Sequence, residues 1–296
     1  MIRRSFFLLT ILIGIGIVSL SGCATTQTIN QANQFAENGV AFTDSIAPLV
    51  DKSFILAVTA DSLVLAENRE TFDKTERRNS LKNSNKHLEE RLKILRDLKE
   101  HANLLRSYFL AIKAITQTDA ASGITDATKG LVERMSKLEP KISEATIGDT
   151  PVSDFIEPGV KLAVASYQNA VLRRELSMRA DTIDREIGLQ EAALSALYEQ
   201  MRADRELEII VEVKNPIERA YTSDGKLPSN WSSQRIEAFK LSIDIDSYEK
   251  AVKAAKALRQ SWQALAEKRL DSATLLDLAQ LVQEMVSLAE KIRSGS

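Results

Sequence analysis

Apolar side chains along this chain recur mostly at steps of three and four, the spacing that lays a stripe along one face of an α-helix. Ile46, Val50, Phe54, Ala57, Ala60 and Val64 make the first such stripe. A charged passage rich in Asn and Ser separates Leu65 from Leu88 and predicts a helix-to-helix turn. Leu88, Leu92, Leu95, Leu98, Ala102, Leu105, Phe109 and Ile112 then alternate as the seam of a bundle or coiled coil does. A shorter helix is expected over 124–146, kinked at Pro140, and Gly148-Asp149-Thr150-Pro151 marks an internal break near 147–157. Beyond Pro158, which suits a first helical turn, no proline interrupts the chain before Pro216, and Leu172, Leu176, Ile183, Ile187, Leu194, Leu197 and Met201 keep one face apolar. About sixty helical residues at ~1.5 Å each would make a rod of roughly 85 Å, which needs other long helices beside it.

The turn Asp224-Gly225-Lys226-Leu227-Pro228 precedes a further helix bearing Ile236, Phe239, Ile243, Val252, Ala255, Leu258, Trp262 and Leu265. Only Leu241 to Asp246 alternates briefly like a strand. Asp271-Ser272 predicts the cap of a last helix carrying Leu275, Leu278, Val282, Met285, Ala289 and Ile292. Near the other end, Asn38-Gly39 and Pro48 predict a broken or kinked opening segment. The fold class expected is therefore all-α, an elongated antiparallel helical bundle with long coiled-coil-like helices.

One apolar stretch has no such period. Phe6 to Val18 is unbroken apart from Thr10 and two glycines, follows Arg3 and Arg4, and is succeeded by small residues. That is the anatomy of a cleaved secretory signal, and it falls short of the ~20 apolar residues a spanning helix needs. It ends in Leu20-Ser21-Gly22-Cys23, which resembles the lipobox of bacterial lipoproteins. The resemblance covers residues 1–23 and implies that Cys23 is the lipid attachment site, with cleavage after Gly22 and acylation of both the sulfur and the new amino group. Each buried methylene contributes ~0.8 kcal/mol, so two or three chains would hold the protein on a membrane while one would not. Ala24 stands where an Asp would imply inner-membrane retention, so the resemblance implies an outer-membrane, periplasm-facing anchor. The domain plan expected is a signal over 1–22, a lipidated tether with a broken first helix over 23–44, and a bundle over 45–296.

Loss of the signal removes Arg3 and Arg4, leaving 37 basic residues of the original 39 against 41 acidic, a net charge of −4. Such a balance gives no general attraction to nucleic acid. Cys23 is the single cysteine, so a disulfide within the chain, a thiolate nucleophile and a cysteine metal site are excluded once it carries lipid.

His87 and His101 lie fourteen residues apart on one expected helix, roughly 21 Å at ~1.5 Å per residue, too far to share a metal ion. No HExxH motif, phosphate-cradling glycine loop or GxSxG elbow follows the signal. Glu89-Glu90, Glu206 with Glu208 and Asp244 with Asp246 diverge around a helix and read as solvated faces, whereas Glu249 and Lys253 can pair one turn apart. Trp262 falls on a seam, and Trp231 stands where it could staple a helix start at Ser232-Ser233. The sequence thus predicts no catalytic residue, cofactor or metal. It predicts a non-catalytic envelope scaffold that meets membrane lipid through Cys23 and either a protein partner or another copy of itself. A periplasmic small-molecule-binding or sensor bundle is the alternative. A sensor should show a pocket with convergent polar groups; a scaffold should show a filled core and an exposed apolar strip.

Overall fold

In a computed structural model, residues 3–69, 71–118, 164–236 and 248–294 are described, with positions 126, 129 and 130; side chains are described from Thr26 onward, except those of 164–167 and Val213. The protein is an all-α helical bundle with no strand among the described residues. Its helices are α1 (Arg3–Asn68), α2 (Lys74–Gln117), α3 (Val164–Glu208), α4 (Asn215–Thr222), α5 (Glu249–Ala266) and α6 (Ser272–Ser294), with a π-helical turn Ile209–Lys214 joining α3 to α4. Apart from positions 126, 129 and 130, the helix expected over 124–146 lies outside the described residues, as do the break near 147–157, Pro158 and the alternating Leu241 to Asp246.

Where helices start, local chemistry explains why. Asp73 Oδ1 accepts from the Thr75 and Glu76 N–H groups at 2.7 and 2.9 Å, and Glu76 Oε2 accepts from the Asp73 N–H at 2.8 Å. This reciprocal capping box starts α2 fourteen residues before the first leucine of its stripe. Asp271 caps α6 as expected, accepting from the Thr274 N–H at 2.8 Å, and those backbone donors hold its carboxyl below the usual range. At the end of α5, Lys268 adopts φ 60, with its N–H on Leu265 O and the Arg269 N–H on Ala264 O. That is a Schellman turn closed by a residue other than the usual glycine.

Two expectations about proline and glycine are corrected. The first helix is not broken: α1 runs on through Gly39 and Pro48, and Ile29 and Ala32 are already buried. Pro48 cannot donate to the carbonyl four residues back, that of Asp44, and Arg293 Nη2 donates to that oxygen instead at 3.0 Å. Gly39 serves packing and breaks nothing: a Cβ there would lie 2.5 to 2.7 Å from the Phe109 ring. Pro216 likewise does not stop the helical path: it stands in the first turn of α4, where its missing donor costs nothing, directly after the π turn in which the Asn215 N–H bonds to Ile210 O, and the chain continues helically to Thr222.

The chain forms two compact units. The first comprises Met1–Val40, Leu104–Arg185 and Leu258–Leu278. Asn33 pairs with Thr116 at 3.0 Å and Glu37 with Lys113 at 3.1 Å, so α1 and α2 are antiparallel here. Its centre is aromatic: Phe35 meets Phe109 edge-on at 5.6 Å and Trp262 at 5.7 Å, and Tyr108 meets Trp262 at 5.9 Å. Each such pair contributes about 0.5–1.5 kcal/mol beyond area burial. Trp262 lies in the core, as its seam position predicts, and donates Nε1–H to Ala180 O at 2.9 Å. Gln168 Nε2 reaches the carbonyls of Ile115, Thr116 and Thr118, closing the carboxyl end of α2. Arg259 forks onto Asp184 at 3.1 and 3.0 Å and holds that carboxyl below its ordinary range.

The second unit comprises Ala41–Asn103, Glu186–Ala257 and Ala279–Ser296. Asp51 faces Lys99 at 2.5 Å and Asp61 faces Ser84, which again sets α1 antiparallel to α2. His101 and Glu186 at 2.9 Å, with Arg91 and Asp204 at 2.7 Å, set α2 antiparallel to α3. Lys250 pairs with Glu284 at 3.4 Å, and Glu249 with Lys253 at 2.8 Å. Trp231 stacks on Tyr221 at 5.7 Å, donates Nε1–H to Ile217 O and lies beneath Arg235, fastening the turn that follows α4 to that helix.

Candidate functional site

The second unit holds an open groove of about 640 Å³ formed by α1, α2 and α3. Residue size explains it. Leu88, Leu95 and Leu98 on α2 face Ala57 and Ala60 on α1 and Ala193 and Ala196 on α3. Alanines on two of three walls leave unfilled the space that larger side chains would occupy in a close-packed core. Ile94, 67% exposed, stands at the lip.

Along its length the groove changes character. One end, around Ala57, Leu95, Leu98 and Ala193, is apolar; the other gathers Asp61, His87, Glu90, Arg91, Gln200 and Asp204. Arg91 organises that end, with Nη1 2.7 Å from Asp204 Oδ2 and Nη2 donating to the buried Ser53 hydroxyl at 3.1 Å. Burial pushes the Asp204 carboxyl up, against the lowering pull of Arg91. Asp61 accepts from the Ser84 hydroxyl, and Glu90 is faced by Lys86 at 3.9 Å and His87 at 4.0 Å. A cleft of this volume with a few converging polar groups has the form of a ligand site.

A second polar cluster lies inside the first unit. Glu175 is fully buried and accepts from Arg179 Nε at 3.2 Å across one helical turn. Burial raises the Glu175 carboxyl above its ordinary 4.5, with Arg179 opposing. Burial likewise pushes the Tyr108 phenol well above 10.0, helped by Glu175 and opposed by Arg179. Tyr108 Oη, Glu175 Oε2, Arg179 Nη2 and Ser261 Oγ are buried with no hydrogen-bond partner among the described residues. Such groups keep a desolvation cost of ~1–3 kcal/mol each, more when charged.

Of the residues singled out in the sequence, Cys23 lies within α1, its side chain outside those described. His87 sits on the groove and His101 bonds Glu186 on α3, so the two histidines remain apart. Among the described residues no three His, Cys, Asp or Glu side chains come together to hold a metal ion, and no helix is long and apolar enough to cross a membrane.

Arg91, Asp204, Glu175 and Arg179 were not expected, although the sequence carries a signal for three of them. The seam of α2 steps through Leu88, Arg91, Leu95 and Leu98, and that of α3 through Leu194, Leu197, Met201 and Asp204. The seven-residue gap between Leu176 and Ile183 marks Arg179 in the same way. A charged residue in register with leucines is the mark of an interior polar group. Compared with known proteins, the chain matches no family model, no curated protein and no solved structure.

Proposed function

We propose that this protein is a lipid-anchored component of the bacterial envelope, held by acylated Cys23 on the periplasmic face of the outer membrane, which works by binding and not by turnover. The observation that carries the reading is the groove of the second unit, an open apolar trough with a polar end that lies between helices and is reachable from outside. An envelope partner or a second copy could lay an apolar helix face into it. The convergence of Asp61, Arg91 and Asp204 at one end favours the second reading, a small-molecule or sensor site in the same groove.

A photo-crosslinking side chain at position 94 in intact cells tests the proposal. It is expected to trap a defined adduct, whereas the same group at Leu276, 70% exposed on the first unit, is expected to trap none. Identical crosslinking from both positions would overturn the groove as the binding face.

A further inference from the structure

The charges at the polar end of the groove are unequal, and the imbalance identifies a ligand class. Three carboxylates, Asp61, Glu90 and Asp204, line it with one guanidinium, Arg91. Arg91 is committed to Asp204 at 2.7 Å and to the Ser53 hydroxyl. Glu90 has Lys86 and His87 within 4.0 Å on its own helix. Asp61 is different: its neighbour is the Ser84 hydroxyl, and among the described residues no cation lies within ion-pair distance of it. A carboxylate at the end of an apolar trough, with a neutral donor on one oxygen, has acceptor capacity left for a cation.

We infer that the groove binds a small cationic amphiphile, with an ammonium or guanidinium head paired to Asp61 and an apolar body lying against Ala57, Ala60, Leu95 and Leu98. This rests on the reading of the groove as a small-molecule site and adds the chemistry of its occupant. Volume and charge both support it. About 640 Å³ lies within the ~300–1,000 Å³ of small-molecule sites. The excess of carboxylates at the polar end repels an anionic head of the same size. Because Arg91 on α2 bonds both Asp204 on α3 and Ser53 on α1, and Ser84 on α2 bonds Asp61 itself, the head meets a carboxylate already in place, with little ordering cost.

The test uses the full chain with two probes of one tail length, decylammonium and decyl sulfate, each below its micelle concentration and followed by titration calorimetry. The expected result is saturable one-to-one binding of the ammonium, at least tenfold tighter than any binding of the sulfate. Asp61→Asn is expected to weaken the ammonium about tenfold and to leave the sulfate no weaker, since one repelling charge is gone. Ala196→Leu, at an exposed position on the groove wall where a larger side chain fills the trough, is expected to weaken both. Equal binding of the two probes, still lost in Ala196→Leu, would overturn the cationic class while keeping the groove as a binding site. Binding of neither probe would overturn the small-molecule reading as well, and an unchanged affinity in Asp61→Asn would overturn the assignment of the head.

Discussion

Replacing Gly39 by Ala in mid-helix would ordinarily stabilise a protein, since Ala is favoured over Gly by ~1 kcal/mol at interior helix positions. Here the opposite is expected. The new methyl would lie 2.5 to 2.7 Å from three carbons of the Phe109 ring, well inside the ~3.5–4.0 Å at which carbon atoms rest. Phe109 is fully buried and held edge-on by Phe35 at 5.6 Å and by Tyr108 at 6.0 Å. Forcing a methyl into such a core costs ~1–3 kcal/mol, which outweighs the helix term and leaves Gly39→Ala about 1 kcal/mol less stable. Phe109→Leu removes the obstructing ring edge. In that background Gly39→Ala should become stabilising by about 0.5–1 kcal/mol, a coupling near 2 kcal/mol between the two positions. Urea denaturation followed by circular dichroism on the four variants closes the cycle. Stabilisation by Gly39→Ala in the otherwise unaltered protein would refute the close approach of α1 and α2 at this point.

Two further substitutions follow from the same unit. Glu175→Leu or Arg179→Met alone should cost ~3–5 kcal/mol by leaving the other charge buried and unpaired, whereas the double substitution should be neutral or stabilising by ~1–4 kcal/mol; a double-mutant cycle by denaturation reads this, and additive losses would contradict it. Because the native carboxyl of Glu175 is raised above 4.5, the folded state binds the proton more tightly than the unfolded one, so its contribution to stability falls as pH rises from about 4.5 through the raised value. That slope should vanish in the double variant. Lys268→Gly should stabilise by ~0.5–1 kcal/mol by relieving a left-handed backbone at φ 60. A loss of stability there would show that the turn does not hold that geometry.

The sequence is legible where side-chain period and solvent meet. Leucine and isoleucine seams placed α2, α3, α5 and α6, and Trp262 fell in the core as its register requires. What escaped reading depends on atoms brought together from elsewhere in the chain. Pro48 and Gly39 are helix breakers by local preference, and only Arg293 on the Asp44 carbonyl and the Phe109 ring against the glycine make them compatible with α1. The start of α2 was readable from Asp73-Lys74-Thr75-Glu76, a capping box with no leucine near it. The groove escaped because alanines satisfy a helical stripe as leucines do, and the volume they leave shows only when three helices are assembled around them.

Anchoring through Cys23 is tested most directly at the amino terminus of the mature protein. Intact-mass and peptide mass spectrometry of membrane-extracted protein should show a chain beginning at Cys23, its mass increased by a diacylglyceryl group on sulfur and an acyl chain on nitrogen, and Cys23→Ala should release the protein from the membrane. A mature chain that begins elsewhere or carries an unmodified Cys23, or a Cys23→Ala variant still held on the membrane, would contradict it.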